Sequence, residues 1–174
     1  MESIASFFKI SKEQFSADRE LFLEGIPCLD TLEWEDNKLA EIRDKLKLPK
    51  RSTASSAGYD FYSTRNVKVK KGKPFIIPTG VRCQMKQGWF LMIAPRSGLS
   101  FKYGLRLVNF LGIIDSDYYL AENEGHIILK FVADENFEMQ EGDRIAQGIF
   151  LPFGVTRSDS AVGKRTGGFG STGV

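Results

Sequence analysis

The chain has 174 residues, 42% of them hydrophobic and 26% charged, with a formal net charge of +2. That length fits one domain with an extra segment, large enough to bury a core without disulfides or metals. Near-neutral charge gives no case for a nucleic-acid or membrane-binding protein, and a single histidine, His126, argues against His-built zinc sites, His phosphotransfer and a Ser-His-Asp triad.

Residues 1–50 make the first of three segments. They begin without a basic region followed by an apolar run, and no stretch of the chain reaches the roughly 18 apolar residues of a membrane span. A soluble, cytoplasmic protein is therefore expected, with Cys28 and Cys83 as unreactive free thiols. Residues 3–10 alternate loosely, as in a short strand. Ser11-Lys12-Glu13-Gln14 has the form of a capping box. Leu39, Ile42 and Leu46 then recur at helical spacing on one face, and Pro49 closes that helix. Trp34 is a candidate anchor for this mostly helical extension.

Residues 51–153 switch to strand signals. Val67-Lys68-Val69-Lys70 alternates before a Lys71-Gly72 turn, and Phe75-Ile76-Ile77 leads to a turn at Pro78-Thr79-Gly80. The runs 89–94, 127–132 and 145–150 read as further strands, with Trp89, Phe90 and Met92 as core and His126 at a strand start. Many short strands with frequent turns predict a mainly β sandwich or jelly roll. Residues 154–174 are rich in Gly, Ser and Thr and lack apolar periodicity, so alone they predict a mobile arm.

Several stretches offer chemistry. Pro95-Arg96-Ser97-Gly98 follows a buried strand and could seat a phosphate through amides, a hydroxyl and a guanidinium; a plain turn with Arg96 in a structural ion pair weighs equally. Asp115 and Asp117 lie two residues apart after an apolar pair, so on an extended chain they face one side and could hold a metal or activate water, with Tyr118 beside them. The commoner alternative is a solvated Asp-rich turn. Gln147, after the Gly142-Asp143-Arg144 turn, could reach a ligand or merely end a ladder. In the arm, glycines around Phe169 would let the backbone wrap a ligand, with Lys164, Arg165, Ser171 and Thr172 for phosphates and the ring for a base. The bland reading is a disordered terminus. Arg43, Lys45, Lys47, Lys50 and Arg51 lie among acidic residues and read as a solvated face rather than a nucleic-acid site.

The stretches AGYD (57–60), PRSGLS (95–100), GIIDSDY (112–118), GDRIAQ (142–147) and GGFGSTG (167–173) occur in an order that resembles the five motifs of the trimeric dUTPase family, of bacterial or phage type. The resemblance implies a dUTPase-type jelly-roll barrel with a helical N-terminal insertion and a flexible C-terminal arm. It implies a homotrimer with shared active sites that hydrolyses dUTP to dUMP and pyrophosphate by Mg²⁺-assisted water attack on the α-phosphate. Such an enzyme keeps uracil out of DNA and supplies dUMP for thymidylate synthesis. Carried over by position, Asp115 is the catalytic carboxylate and Tyr118 packs under the deoxyribose. Asn109 lies in the hairpin that reads uracil. Arg96, Ser97, Gly98 and Gln147 contact phosphates, and Asp60 stands near the Mg²⁺ hydration shell. Phe169, between Gly168 and Gly170, covers the base, with Ser171 and Thr172 near the terminal phosphates.

Three departures stand out. Tyr118-Tyr119-Leu120 runs into residues 121–124 before Gly125, which predicts a longer loop. Lys164 occupies the position usually held by arginine, with Arg165 one later, so either could take the phosphate. The helical extension is expected as an insertion after the first strand and as a possible protein-docking surface. The nearest rival is a dCTP deaminase on the same fold; it would need a catalytic Glu and would lack the GGFG arm. A regulatory docking module is the rival from another class.

Overall fold

The computed structural model describes residues 2–25, 32–163, 165 and 167; the side chains of residues 32–35 fall outside the description. Trp34 as an anchor, Cys28, Lys164 and the arm residues Gly168, Phe169, Gly170, Ser171 and Thr172 therefore lie outside the described residues. The chain opens with β1 (Ala5–Lys9) and passes into three helices, α1 (Lys12–Ala17), α2 (Arg19–Leu23) and α3 (Leu32–Lys45). Ser11 caps α1 by accepting the Gln14 amide at 3.0 Å. The capping box is only half made. Gln14 turns to Asp18 instead, and the Ser11 amide goes to Glu124.

Helices as short as α1 and α2 are marginal in isolation, so packing must hold them. Phe15 and Phe22 stack at 3.8 Å and are buried together with Ile10, Leu39 and Ile42. The helical spacing of Leu39 and Ile42 thus marks the face that is covered, while Lys38 and Lys45 pair with Glu41 on the exposed side.

The remaining strands form an antiparallel barrel. β2 (Lys50–Arg51), β3 (Tyr59–Tyr62), β12 (Arg144–Pro152), β7 (Trp89–Pro95) and β9 (Gly112–Asp115) make one sheet in the order β2-β3-β12-β7-β9. Facing it are β5 (Phe75–Pro78), β10 (Ile128–Val132) and β8 (Arg106–Leu107) in the order β5-β10-β8. Two pairs complete the wall: β1 with β6 (Val81–Met85), and β4 (Val67–Val69) with β11 (Phe137–Met139). Phe61, Ile77, Leu91, Ile93, Phe131 and Ile145 fill the interior. Each such side chain contributes about 1.5–3 kcal/mol on burial.

The run 89–94 corrects one expectation. Leu91 and Ile93 are fully buried and Trp89 packs against the same core, while Phe90 and Met92 are only half-covered. Alternation along β7 sends Leu91 and Ile93 inward and their neighbours to the opposite face. A second correction concerns 95–100. The turn after β7 is the start of a helix, α4 (Ser97–Tyr103), with Arg96 at its N-cap and Gly104 ending it at φ 62°. A third concerns Asp117. The chain after β9 is a short 3₁₀ helix (Ser116–Leu120), so Asp115 and Asp117 are not on one extended strand.

Candidate active site

The register of the sheet decides where the candidate residues can meet. Asp115 pairs with Phe90 at one end of β7, whereas Arg96 follows Pro95 at the other. At about 3.3 Å per residue, the six-residue step along the strand separates them by roughly 20 Å. Two clusters result, one at each end.

The first cluster surrounds a cavity of about 550 Å³ lined by Asn109, Gly112, Ile113, Tyr118 and Leu21, among others. Its lining is largely apolar, the usual character of a site that holds a flat ring and orients it with few polar groups. Asn109 belongs to a tight turn in which the Leu111 amide donates to the Asn109 carbonyl at 2.7 Å and Phe110 takes φ 64°. Tyr118 is buried, its hydroxyl donating to the His126 carbonyl at 2.9 Å and accepting from Asn123 at 2.9 Å. Burial pushes the Tyr118 phenol above its usual value, an effect the Asn123 hydrogen bond and nearby Arg165 only partly offset. Asp115 follows the lining residue Ile114 and stays about half-exposed.

Arg165 also lines this cavity. Its guanidinium donates to Asp115 at 2.5 Å and to Asp117 at 2.9 Å, and lies 5.8 Å from the Tyr118 ring centroid. The two carboxylates that do not share a strand face are thus gathered by one fork of donors. In this arrangement Arg165 faces carboxylates rather than a phosphate.

The second cluster lies where β3, β12 and the β7–α4 junction meet. Asp60 is 2% exposed and bonds Arg96 at 2.6 Å through one oxygen. Its other oxygen accepts from Ser52 at 2.8 Å and faces Arg144 at 3.4 Å. Both oxygens take part in these contacts, and the shortest of them fixes the Arg96 guanidinium. A bulge in β12 between Arg144 and Ala146 shifts the register and sets Gln147 opposite Asp60 and Ala94. Gly58 leaves room for Gln147: a Cβ there would fall 2.7 Å from its Oε1. Ser97 and Gly98 are exposed on the first turn of α4, beside Arg96. Among the described residues no group of three or more His, Cys, Asp or Glu side chains gathers.

Residues that sequence reasoning set aside prove to border the first cluster. His126 is fully buried behind Tyr118, and Leu21 reaches the cavity from α2. The one available signal was the overlong loop ending at Gly125. Cys83 is buried, which pushes its thiol up to about 12 and leaves it unreactive.

The family described as dUTPase matches residues 44–173, leaving α1, α2 and most of α3 outside the match. The deoxyuridine 5'-triphosphate nucleotidohydrolase of Lactococcus lactis is 43% identical over 134 residues, covering 74% of this chain and 89% of that protein. Its counterpart in Brucella melitensis is 37% identical over 138 residues, covering 74% and 86%. Among solved structures, the dUTPase from Streptococcus mutans superposes with TM-score 0.58 at 38% identity, over 64% of this chain and 89% of that one. A Staphylococcus bacteriophage 80alpha dUTPase variant covers 95% of this chain with TM-score 0.57 at 16% identity, a likeness of fold alone. With four of its five motifs spread over an apolar cavity and a polar cluster of a jelly roll, and with this degree of likeness, the chain belongs to the dUTPase family.

Proposed function

We propose that the chain hydrolyses dUTP to dUMP and pyrophosphate, keeping uracil out of DNA and supplying dUMP for thymidylate synthesis. The observation that carries this reading is the apolar cavity beside Asp115, roofed by Tyr118 and edged by the Asn109 turn. A ring-sized apolar slot with backbone polar groups at one edge suits uracil and deoxyribose. Asp115, half-exposed, is available to accept a proton from the attacking water at the α-phosphorus. Tyr118 would lie against the sugar where a 2′-hydroxyl would project. Arg96, held by Asp60, would bind the phosphates with Ser97, Gly98 and Gln147. Phosphoryl chemistry needs mainly positioning and charge neutralisation, both of which this set supplies. Mg²⁺ carried on the triphosphate would add charge stabilisation while keeping much of its water shell. Phe169 and the hydroxyls of Ser171 and Thr172 would close over base and phosphates, and Arg165 would have to leave Asp115 for the attacking water to enter.

The roughly 20 Å between the two clusters is too far for one chain to grip base and triphosphate at the same reacting centre. A homotrimer, in which the phosphate cluster of one copy meets the nucleoside cavity of another, satisfies both. Val108, Phe110 and Ile113, exposed around the cavity, are apolar surface for such an assembly.

The test is pyrophosphate release from dUTP, dCTP, dTTP and UTP, with Mg²⁺ and with EDTA. Turnover of dUTP alone, dependent on Mg²⁺ and lowered about 10³-fold in Asp115→Asn, is the expected result. Ammonia release from dCTP, or no turnover by folded protein, would remove this reading.

A further inference from the structure

The helical segment between β1 and β2 reaches the nucleoside cavity in two ways. Leu21 of α2 lines the cavity directly. Asp18, the residue between α1 and α2, reaches Tyr118 through His126. The His126 ring is fully buried, and its Nε2 accepts the Gly80 amide at 2.9 Å. The proton therefore sits on Nδ1, which donates to Asp18 at 2.6 Å. Phe22 covers the flat side of the imidazole, 5.6 Å away and within 8° of parallel. The backbone carbonyl of the same histidine receives the Tyr118 hydroxyl at 2.9 Å.

The loop between Tyr118 and His126 is pinned beside this chain of bonds. Ser11 donates to Glu124 through both its hydroxyl, at 2.5 Å, and its amide, at 3.0 Å. Arg82 bonds Glu124 at 3.2 Å and the Tyr119 carbonyl at 2.7 Å. Gly125 passes so close to Tyr118 that a Cβ would fall 2.5 Å from the Tyr118 carbonyl oxygen. The loop is thus clamped to the helical segment on one side and to the back of Tyr118 on the other.

We infer that the helical segment is a wall of the substrate cavity, and that Asp18 and His126 are positioning residues that hold Tyr118 where it discriminates deoxyribose from ribose. This rests on the reading that Tyr118 lies against the sugar. A ring free to retreat by a fraction of an ångström admits a hydroxyl, and fixing its hydroxyl to a carbonyl whose own side chain is locked at both nitrogens prevents that retreat. The specificity of the site is in this way tied to a part of the chain outside the family match.

The experiment compares kcat/KM for dUTP and for UTP in the wild type and four variants. Asp18→Ala removes the acceptor for Nδ1. Asp18→Asn keeps an oxygen in its place. Leu21→Ala opens the wall without touching the His126 bonds. Ile42→Ala weakens the core of the same segment away from the loop, as a control for stability. The ratio of dUTP to UTP is expected to fall about tenfold in Asp18→Ala and in Leu21→Ala. It should return most of the way to wild type in Asp18→Asn and stay unchanged in Ile42→Ala even as its Tm falls. Wild-type ratios in Asp18→Ala, or in Leu21→Ala should Asp18→Ala not fold, overturn the inference. So does an equal shift in Ile42→Ala, which would make the effect one of general stability. Wild-type protein that cleaves dUTP and UTP alike would instead remove the functional reading, and the inference with it.

Discussion

Asp60 shows how one buried carboxylate can organise a site without touching substrate. It is 2% exposed, with Arg96 on one oxygen and Ser52 and Arg144 on the other. Replacing it by alanine leaves two guanidinium groups facing an empty, poorly hydrated space. Asp60→Ala is expected to cost about 2 kcal/mol, below the range for fully buried pairs because Arg144 is half in solvent. Denaturant unfolding checks that figure. The same variant should lose more kcat/KM than Ser52→Ala, because only Asp60 orients Arg96. At this scale the sequence named Asp60, Arg96, Gln147, Asp115 and Tyr118 but not their neighbours Ser52, His126 and Leu21. The burial of Asp60 and its two cationic partners depend on a β-bulge and a register invisible in residue order.

At the scale of elements, β12 leaves little room for added volume. Gly148 lies where a Cβ would come within 2.8 Å of Leu91 and 2.9 Å of Phe61. Gly148→Ala should therefore destabilise the fold by about 1–3 kcal/mol through overpacking, measurable as a drop in the denaturation midpoint. The docking of the helical segment has its own sensitivity. Desolvation pushes the carboxyls of Asp18 and Glu124 up, but bonds from His126 and Gln14 to the former, and from Ser11 and Arg82 to the latter, hold both below their ordinary values of 3.8 and 4.5. Carboxylates lowered in the folded state contribute stability that is present above their unfolded values and lost as pH falls through the lowered ones. Amide exchange in α1 should accordingly accelerate below about pH 4, relative to β12 amides. Equal acceleration of both, or none, would contradict this. Strand-forming runs and the Leu39–Ile42 helix face were legible because their periodicity is local. α4, which read as a turn, and β6 and β9 were not, because short elements take their form from partners far away in sequence.

For the whole molecule, the governing fact is the separation of the two clusters by the length of β7. Motif order in the sequence could not reveal it, since only α4, β8 and β9 carry the chain from Pro95 to Asp115 and the distance comes from antiparallel pairing. The central claim is that the dUTP site is completed between copies, with Asp115 and Tyr118 from one and Arg96 and Gln147 from another. Its most direct test is to co-express two variants, Asp115→Asn and Arg96→Ala, each nearly inactive alone, and to measure dUTP turnover by the purified mixture. In a randomly mixed trimer about a quarter of the sites would combine an intact cavity with an intact phosphate cluster, so recovery to about a quarter of wild-type turnover is predicted. Turnover no higher than that of the single variants, in a mixture shown to contain mixed assemblies, would contradict the account.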